Sequence, residues 1–185
     1  MLGLGHRRVG HILGPAEYLC TRERYDGYCR ALREAGLEPD PRMIWQGDFT
    51  PEGGRECAHA ICSQPADVRP EALFVDNDQM AFGLLDVAPQ YGLHIPEDMS
   101  VIGFDDMPMA RFAKPALTTI RQPHREMGEF ACELLLSLID PKNYSFQHGN
   151  ETFSRTEEGG SKHLRVVLPT KLIVRDSCGV TQSVP

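Results

Sequence analysis

Short apolar runs alternate strictly with longer segments of helical period along most of this chain. The runs are Val9–Leu13, Met43–Trp45, Ala72–Val75, Ser100–Phe104 and Leu117–Ile120. After the first comes a segment whose apolar residues, Tyr25, Tyr28, Cys29, Leu32 and Ala35, share one helical face. Gly36 then stands where a helix ends, and Pro39 and Pro41 prevent its continuation. Pro51 opens a second helix, with Cys57, Ala58, Ile61 and Cys62 inward. A third runs from about Gln79, carrying Met80, Ala81, Leu84, Leu85 and Ala88, and Pro89 should break or kink it. Strand and helix in such alternation predict an α/β fold, a parallel sheet flanked by helices on both faces.

Pro123 to Ile139 is the most periodic stretch, with Met127, Phe130, Ala131, Leu134, Leu135 and Leu138 in one apolar stripe. Beyond Asp140-Pro141 the pattern collapses. Residues 141–163, rich in Asn, Ser, Gly, Glu and His, read as a polar mobile loop. Residues 164–179 resume as extended chain, with Pro169 marking an edge or a strand break, and 180–185 form a tail.

The chain has 185 residues, of which 41% are hydrophobic, enough for one α/β domain with a substantial core. Its formal charge of −7 disfavours direct contact with phosphate backbones. No apolar run reaches the roughly 18 residues of a membrane span, and the N-terminus does not read as a signal peptide. The six cysteines show no CxxC spacing, and most fall in apolar helical positions that suit buried thiols in a reducing cytoplasm. Cys57, His59 and Cys62 are ligand-type residues, yet helical spacing spreads them over different faces, so no metal site is expected. There is no GxSxG elbow, phosphate-binding loop or GxGxxG after a strand, and no catalytic residue is assigned.

In open parallel sheets ligands bind beyond the carboxyl ends of the strands. The residues that follow these strands are Gln46-Gly-Asp-Phe49, Asp76-Asn-Asp-Gln79, Asp105-Asp106 and Arg121-Gln122. Carboxylates and carboxamides bond adjacent hydroxyls, and an aromatic ring stacks on a sugar face, so this set suits a polyhydroxylated ligand. The same residues also suit loops and caps, with Asn77 or Asp78 capping the next helix.

Specific strings go further. Leu4-Gly-His-Arg-Arg-Val-Gly10, Arg24-Tyr-Asp-Gly-Tyr28, Gly47-Asp-Phe-Thr50, Asn77-Asp-Gln-Met-Ala81 and Ile95 to Asp106 (IPEDMSVIGFDD) occur in that order. Leu117 to Pro123 (LTTIRQP), Leu168-Pro-Thr170 and Val174-Arg175 complete the series. Together they resemble the lac repressor/gal repressor (LacI/GalR) family of transcription regulators, over nearly the whole chain outside the polar loop. In that family a helix-turn-helix head reads operator DNA, and a two-subdomain sensor of periplasmic-binding-protein-like fold holds the effector.

The resemblance implies that residues 1–122 are the sensor's C-terminal subdomain and 123–140 a helix of its N-terminal subdomain. It implies effector contacts from Arg24, Asn77 and Asp105, a stacking ring at Phe49 and a further polar contact at Gln122. Phe82, facing away from the core stripe, matches the dimer face. The implied partners are a small-molecule effector, foremost a sugar with nucleosides and purines also in range, and a second copy of the chain. Operator DNA would be reached only through a head outside these residues, and no cofactor or membrane contact is implied. Most of the N-terminal subdomain is also outside them, which leaves the 123–140 stripe without its partner and should weaken effector binding. A sugar-binding component of a transporter is the alternative the fold alone permits.

Overall fold

The computed structural model describes residues 1–140, 152–158 and 161–179, with 152–158 and 161–166 as backbone path alone. It divides into two compact units, Met1–Arg121 with the segment from Leu172, and Gln122–Lys171. The first unit carries the expected alternation. In order it runs β1 (Val9–Leu13), α1 (Leu19–Glu34), β2 (Ile44–Gln46), α2 (Pro51–Cys62), β3 (Ala72–Val75), α3 (Asp78–Val87), β4 (Ser100–Asp105) and β5 (Thr118–Arg121). The sheet order is β2-β1-β3-β4-β5, and every pairing between these five strands is parallel. A further strand, β8 (Lys171–Ile173), extends the sheet beyond β5.

Each element starts and stops for a local reason. Thr50 caps α2 by accepting from Gly53 N, with Pro51 in the first turn. Asn77 caps α3 through Met80 N. Pro89 ends α3 as expected: the α-helix stops at Val87, Ala88–Tyr91 tighten into a 3-10 turn, and Gly92 closes it at φ 69°. Helices α2 and α3 pack backbone to backbone, because a Cβ on Gly83 would stand 2.1 Å from the Pro51 carbonyl.

The main core gathers Ile12 from β1, Cys57 and Ile61 from α2, Leu73 and Val75 from β3, Leu84 from α3, Val101 from β4, and Leu117. Each such side chain withdrawn from water contributes roughly 1.5 to 3 kcal/mol. After β8 the chain is stitched back onto the sheet. Ser177 O accepts from Val101 N, while its hydroxyl donates to Val101 O and accepts from Thr118 N.

The second unit contains α4 (His124–Ile139) and an antiparallel pair, β6 (Thr152–Glu158) with β7 (Ser161–Val167). No residue of α4 is buried: Met127, Leu135 and Leu138 of the expected stripe are exposed, and Phe130 and Leu134 half-buried. The hairpin takes up 152–158 and 161–163 of the region read from sequence as a mobile loop, and 164–167 of the segment read as extended. Its register sets Glu158 opposite Ser161 and Thr152 opposite Val167. The rest of the loop, 141–151 and 159–160, and the 180–185 tail lie outside the described residues. The stretch read as one extended segment, 164–179, is broken after Val167, and the boundary between the units falls at Leu172.

Candidate functional site

The carboxyl ends of the parallel strands carry one connected polar and aromatic network. Arg24, on the inner face of α1, donates from Nη1 to the Asp76 carbonyl at 2.6 Å. Its guanidinium lies over the Phe104 ring, 3.9 Å from the centroid. Asp76, fully buried beyond the end of β3, accepts from Gly14 N at 2.8 Å through one oxygen and meets His11 Nε2 at 2.7 Å through the other. Asn77 both caps α3 and donates from Nδ2 to the Phe49 carbonyl at 2.9 Å. Its cap role and its link to Phe49 therefore coexist.

Phe49 is held in the left-handed region, at φ 68°. That conformation costs a non-glycine residue about 1 to 3 kcal/mol and persists only where its surroundings fix it. Here the fixing groups are the Asn77 amide and Gly14, where any Cβ would overlap the Phe49 ring at 2.1 Å. Tyr18 stands beside this ring, centroids 5.8 Å apart, and is half exposed. Asp105 and Asp106 are also left-handed, at φ 116° and 56°. Two strained residues in succession turn the end of β4 sharply, and Asp105 stands next to Phe104 in that turn.

Neighbouring side chains brace the turn. Asp78, fully buried, accepts from Thr119 Oγ1 at 2.6 Å and from Met107 N at 2.7 Å. Burial pushes its carboxyl up to about 6, and the charges of Asp105 and Asp106 add to the effect against those two hydrogen bonds. Asp106 is the converse case. Burial alone would raise it, yet Arg175 and Arg121, both paired with its carboxylate, hold it below the usual carboxylate range. Hydrogen bonds from Thr50 likewise keep Asp48 low.

Four of the expected residues, Arg24, Phe49, Asn77 and Asp105, thus lie at one end of the sheet: Arg24 bonds the Asp76 carbonyl, Asn77 bonds the Phe49 carbonyl, and Asp105 ends β4. Gln122 follows β5 directly and is the first residue of the second unit. Phe82, expected to face away from the core stripe, is half-buried against the main core, and it also lines a groove of about 350 Å³ with Leu85, Asp86, Met109, Ala113 and Lys114. Of the cysteine and histidine set on α2, Cys57 and Cys62 are buried, burial raising Cys57 to about 11, whereas His59 bonds Tyr91 at the surface. Among the described residues no three His, Cys, Asp or Glu side chains form a metal-binding group, and no helix is long and apolar enough to cross a membrane.

Sequence reasoning passed over His11, Tyr18 and Phe104. A histidine inside the apolar run of β1 was the one signal available for the first, and it names no partner by itself.

A sheet of this order with its polar network at the strand ends defines a ligand-binding domain, and the chain belongs to the periplasmic binding protein-like domain family, whose model matches residues 1–178. Within that family it is an effector-binding domain of the LacI/GalR type. It is 36% identical over 177 residues to the transcriptional repressor PurR of Haemophilus influenzae, covering 96% of this chain and 48% of that protein. With the repressor CytR of Escherichia coli the identity is 44% over 132 residues, 71% of this chain and 38% of that protein. Among solved structures, a regulatory protein of the LacI family from Chloroflexus aggregans superimposes with a TM-score of 0.80 at 32% identity, over 96% of this chain and 57% of that one. The complex of the transcriptional regulator CelR with cellobiose gives 0.78 at 33% identity, over 95% and 48%. The chain spans about half the length of the curated relatives it matches.

Proposed function

We propose that this chain is the effector-sensing part of a cytoplasmic transcription regulator, and that it carries no enzymatic activity. The observation that carries the reading is the convergence of Arg24, Phe49, Asn77 and Asp105 on the carboxyl end of one parallel sheet. A guanidinium, a carboxamide and a carboxylate beside two aromatic rings are hydrogen-bonding and stacking groups, and they lack the nucleophile-and-base pairing that acyl or phosphoryl transfer requires. Arg24 and Asp105 bond ring hydroxyls, and Phe49 stacks on the apolar face of the effector, which is a sugar in the first instance. Gln122, directly after β5, adds a further polar contact. The groove beside Phe82 is the homodimer face, with Asp86 and Lys114 on its rim able to pair across a two-fold axis. Effector binding shifts the relation of the sensor's parts and so the placement of DNA-reading heads in the whole protein. The repressor names of the relatives favour this reading over a transporter component.

The test is a thermal-shift panel of mono- and disaccharides, nucleosides and purine bases, each taken to millimolar concentration. One class should raise the melting temperature, since a ligand at a hundred times its dissociation constant stabilises by about 2.7 kcal/mol. Arg24→Ala and Asp105→Ala should abolish that shift. A panel without any response, or a response that both variants keep, overturns the sensor reading at this site.

A further inference from the structure

We propose that His11 is a positioning residue of the effector site: it holds the Asp76 carboxylate and thereby leaves Arg24 in place over Phe104. This rests on the reading of Arg24 as an effector contact.

His11 and Asp76 are both fully buried, and His11 Nε2 stands 2.7 Å from Asp76 Oδ1. The register of β1 on β3 creates the pair. His11 lies opposite Phe74, so Asp76, two residues on, projects from the same face just past the strand end. The imidazole sits among aromatic rings, with centroids at 4.7 Å from Phe74, 4.9 Å from Tyr28 and 6.2 Å from Tyr25. Its Nδ1 is buried and has no hydrogen-bond partner among the described residues. A polar ring buried with one nitrogen unsatisfied is a costly choice for an apolar strand, and its return is the bond to Asp76.

Asp76 is the hub beneath the site. Its Oδ2 accepts from Gly14 N and so fixes the turn that packs on Phe49, while its backbone carbonyl accepts from Arg24 Nη1. Without His11, one carboxylate oxygen would be stranded in the interior, where an uncompensated charge draws in whatever cation is within reach. Arg24 already touches the backbone of that same residue. It would swing onto the carboxylate, leave the Phe104 ring and stop presenting its remaining donors to an effector. His11 therefore acts at one remove, by satisfying the carboxylate that would otherwise capture Arg24.

The experiment reads Arg24 directly, by nuclear magnetic resonance of its Nε–H group in the full chain. In the wild type the Phe104 ring current should place this signal upfield of the other arginines. His11→Phe keeps the aromatic packing but strands the carboxylate, and the upfield shift should be lost. Asp76→Asn should keep it, because the amide can serve both Gly14 and the other tautomer of His11. The double variant His11→Phe/Asp76→Asn should recover the shift, since no charge is left to capture Arg24. If His11→Phe does not fold, His11→Asn, too short to reach the carboxylate, should lose the shift in its place. An Arg24 signal unmoved by the single His11 change, or displaced equally in the double variant, overturns the proposal and leaves the pair a packing feature. This readout needs no effector, so an effector panel without a response would count against the sensor reading and leave this result standing.

Discussion

Asp78 couples the turn that carries Asp105 to solution pH. Its carboxyl is raised to about 6 chiefly by burial, against an ordinary value near 4 in an unfolded chain. The folded protein therefore holds this proton more tightly than the unfolded one. Its contribution to stability is complete below about pH 4 and is lost as pH rises through about 6, up to roughly 3 kcal/mol over that window. Other carboxylates work in the opposite sense: Asp48 and Asp106 are held low, so their contributions are present at neutral pH and fade as the pH falls. Total stability mixes both, so the informative quantity is a difference. Urea unfolding of the wild type and of Asp78→Asn should diverge with pH, the wild type losing ground to the variant between about pH 4 and 6.5. Parallel curves across that range would mean that the Thr119 and Met107 hydrogen bonds offset the cost of burial. Asp78 was visible in the sequence as a strand-end residue and a possible helix cap, with no partner indicated. Its link to Thr119 joins positions 41 residues apart and follows from the pairing of β4 with β5, which no local pattern encodes.

The limits of legibility at the scale of elements follow the same division between local and long-range causes. Strands β1, β3 and β4 were readable because parallel strands covered on both faces appear as largely apolar runs. The β6–β7 hairpin was not, because Thr, Ser, Arg and Glu in β6 form no apolar stripe. Strand-end residues such as Asn77 and Asp105 could be named because topology alone sets where a binding site lies. His11–Asp76 could not, since its members are 65 residues apart and meet through register. Helix α4 was read correctly as an element, and its exposure has a testable cost. Leu135, Leu138 and Ile139 are 56%, 72% and 70% exposed, a surface that favours association at roughly 25 cal/mol per Å² buried. Sedimentation velocity should show the chain self-associating. Leu135→Glu/Leu138→Glu should shift it toward smaller species, and Phe82→Glu on that background should remove the remaining dimer. A wild type that stays monomeric at high concentration would contradict both surfaces.

At the scale of the whole molecule, the question is where DNA contact resides. Regulators of this family act on operators, yet these 185 residues carry a formal charge of −7. Each phosphate neutralised by a cation adds about 0.9 to the salt dependence of binding, so a DNA-binding face announces itself by affinity that collapses as salt rises. Many of the arginines are already committed to carboxylates: Arg8 to Glu71, Arg42 to Asp40, Arg55 to Glu52 and Asp86, and Arg121 and Arg175 to Asp106. Pairing of this kind leaves a negative field over the domain, which repels a duplex at long range. The chain by itself should therefore give no anisotropy change with a fluorescein-labelled duplex of mixed sequence at about 50 mM salt, where nonspecific binding is strongest. If it does bind, and releases the duplex as salt increases, a phosphate-contacting face lies within this domain. DNA recognition could then no longer be assigned wholly to the half of the relatives that this chain does not span.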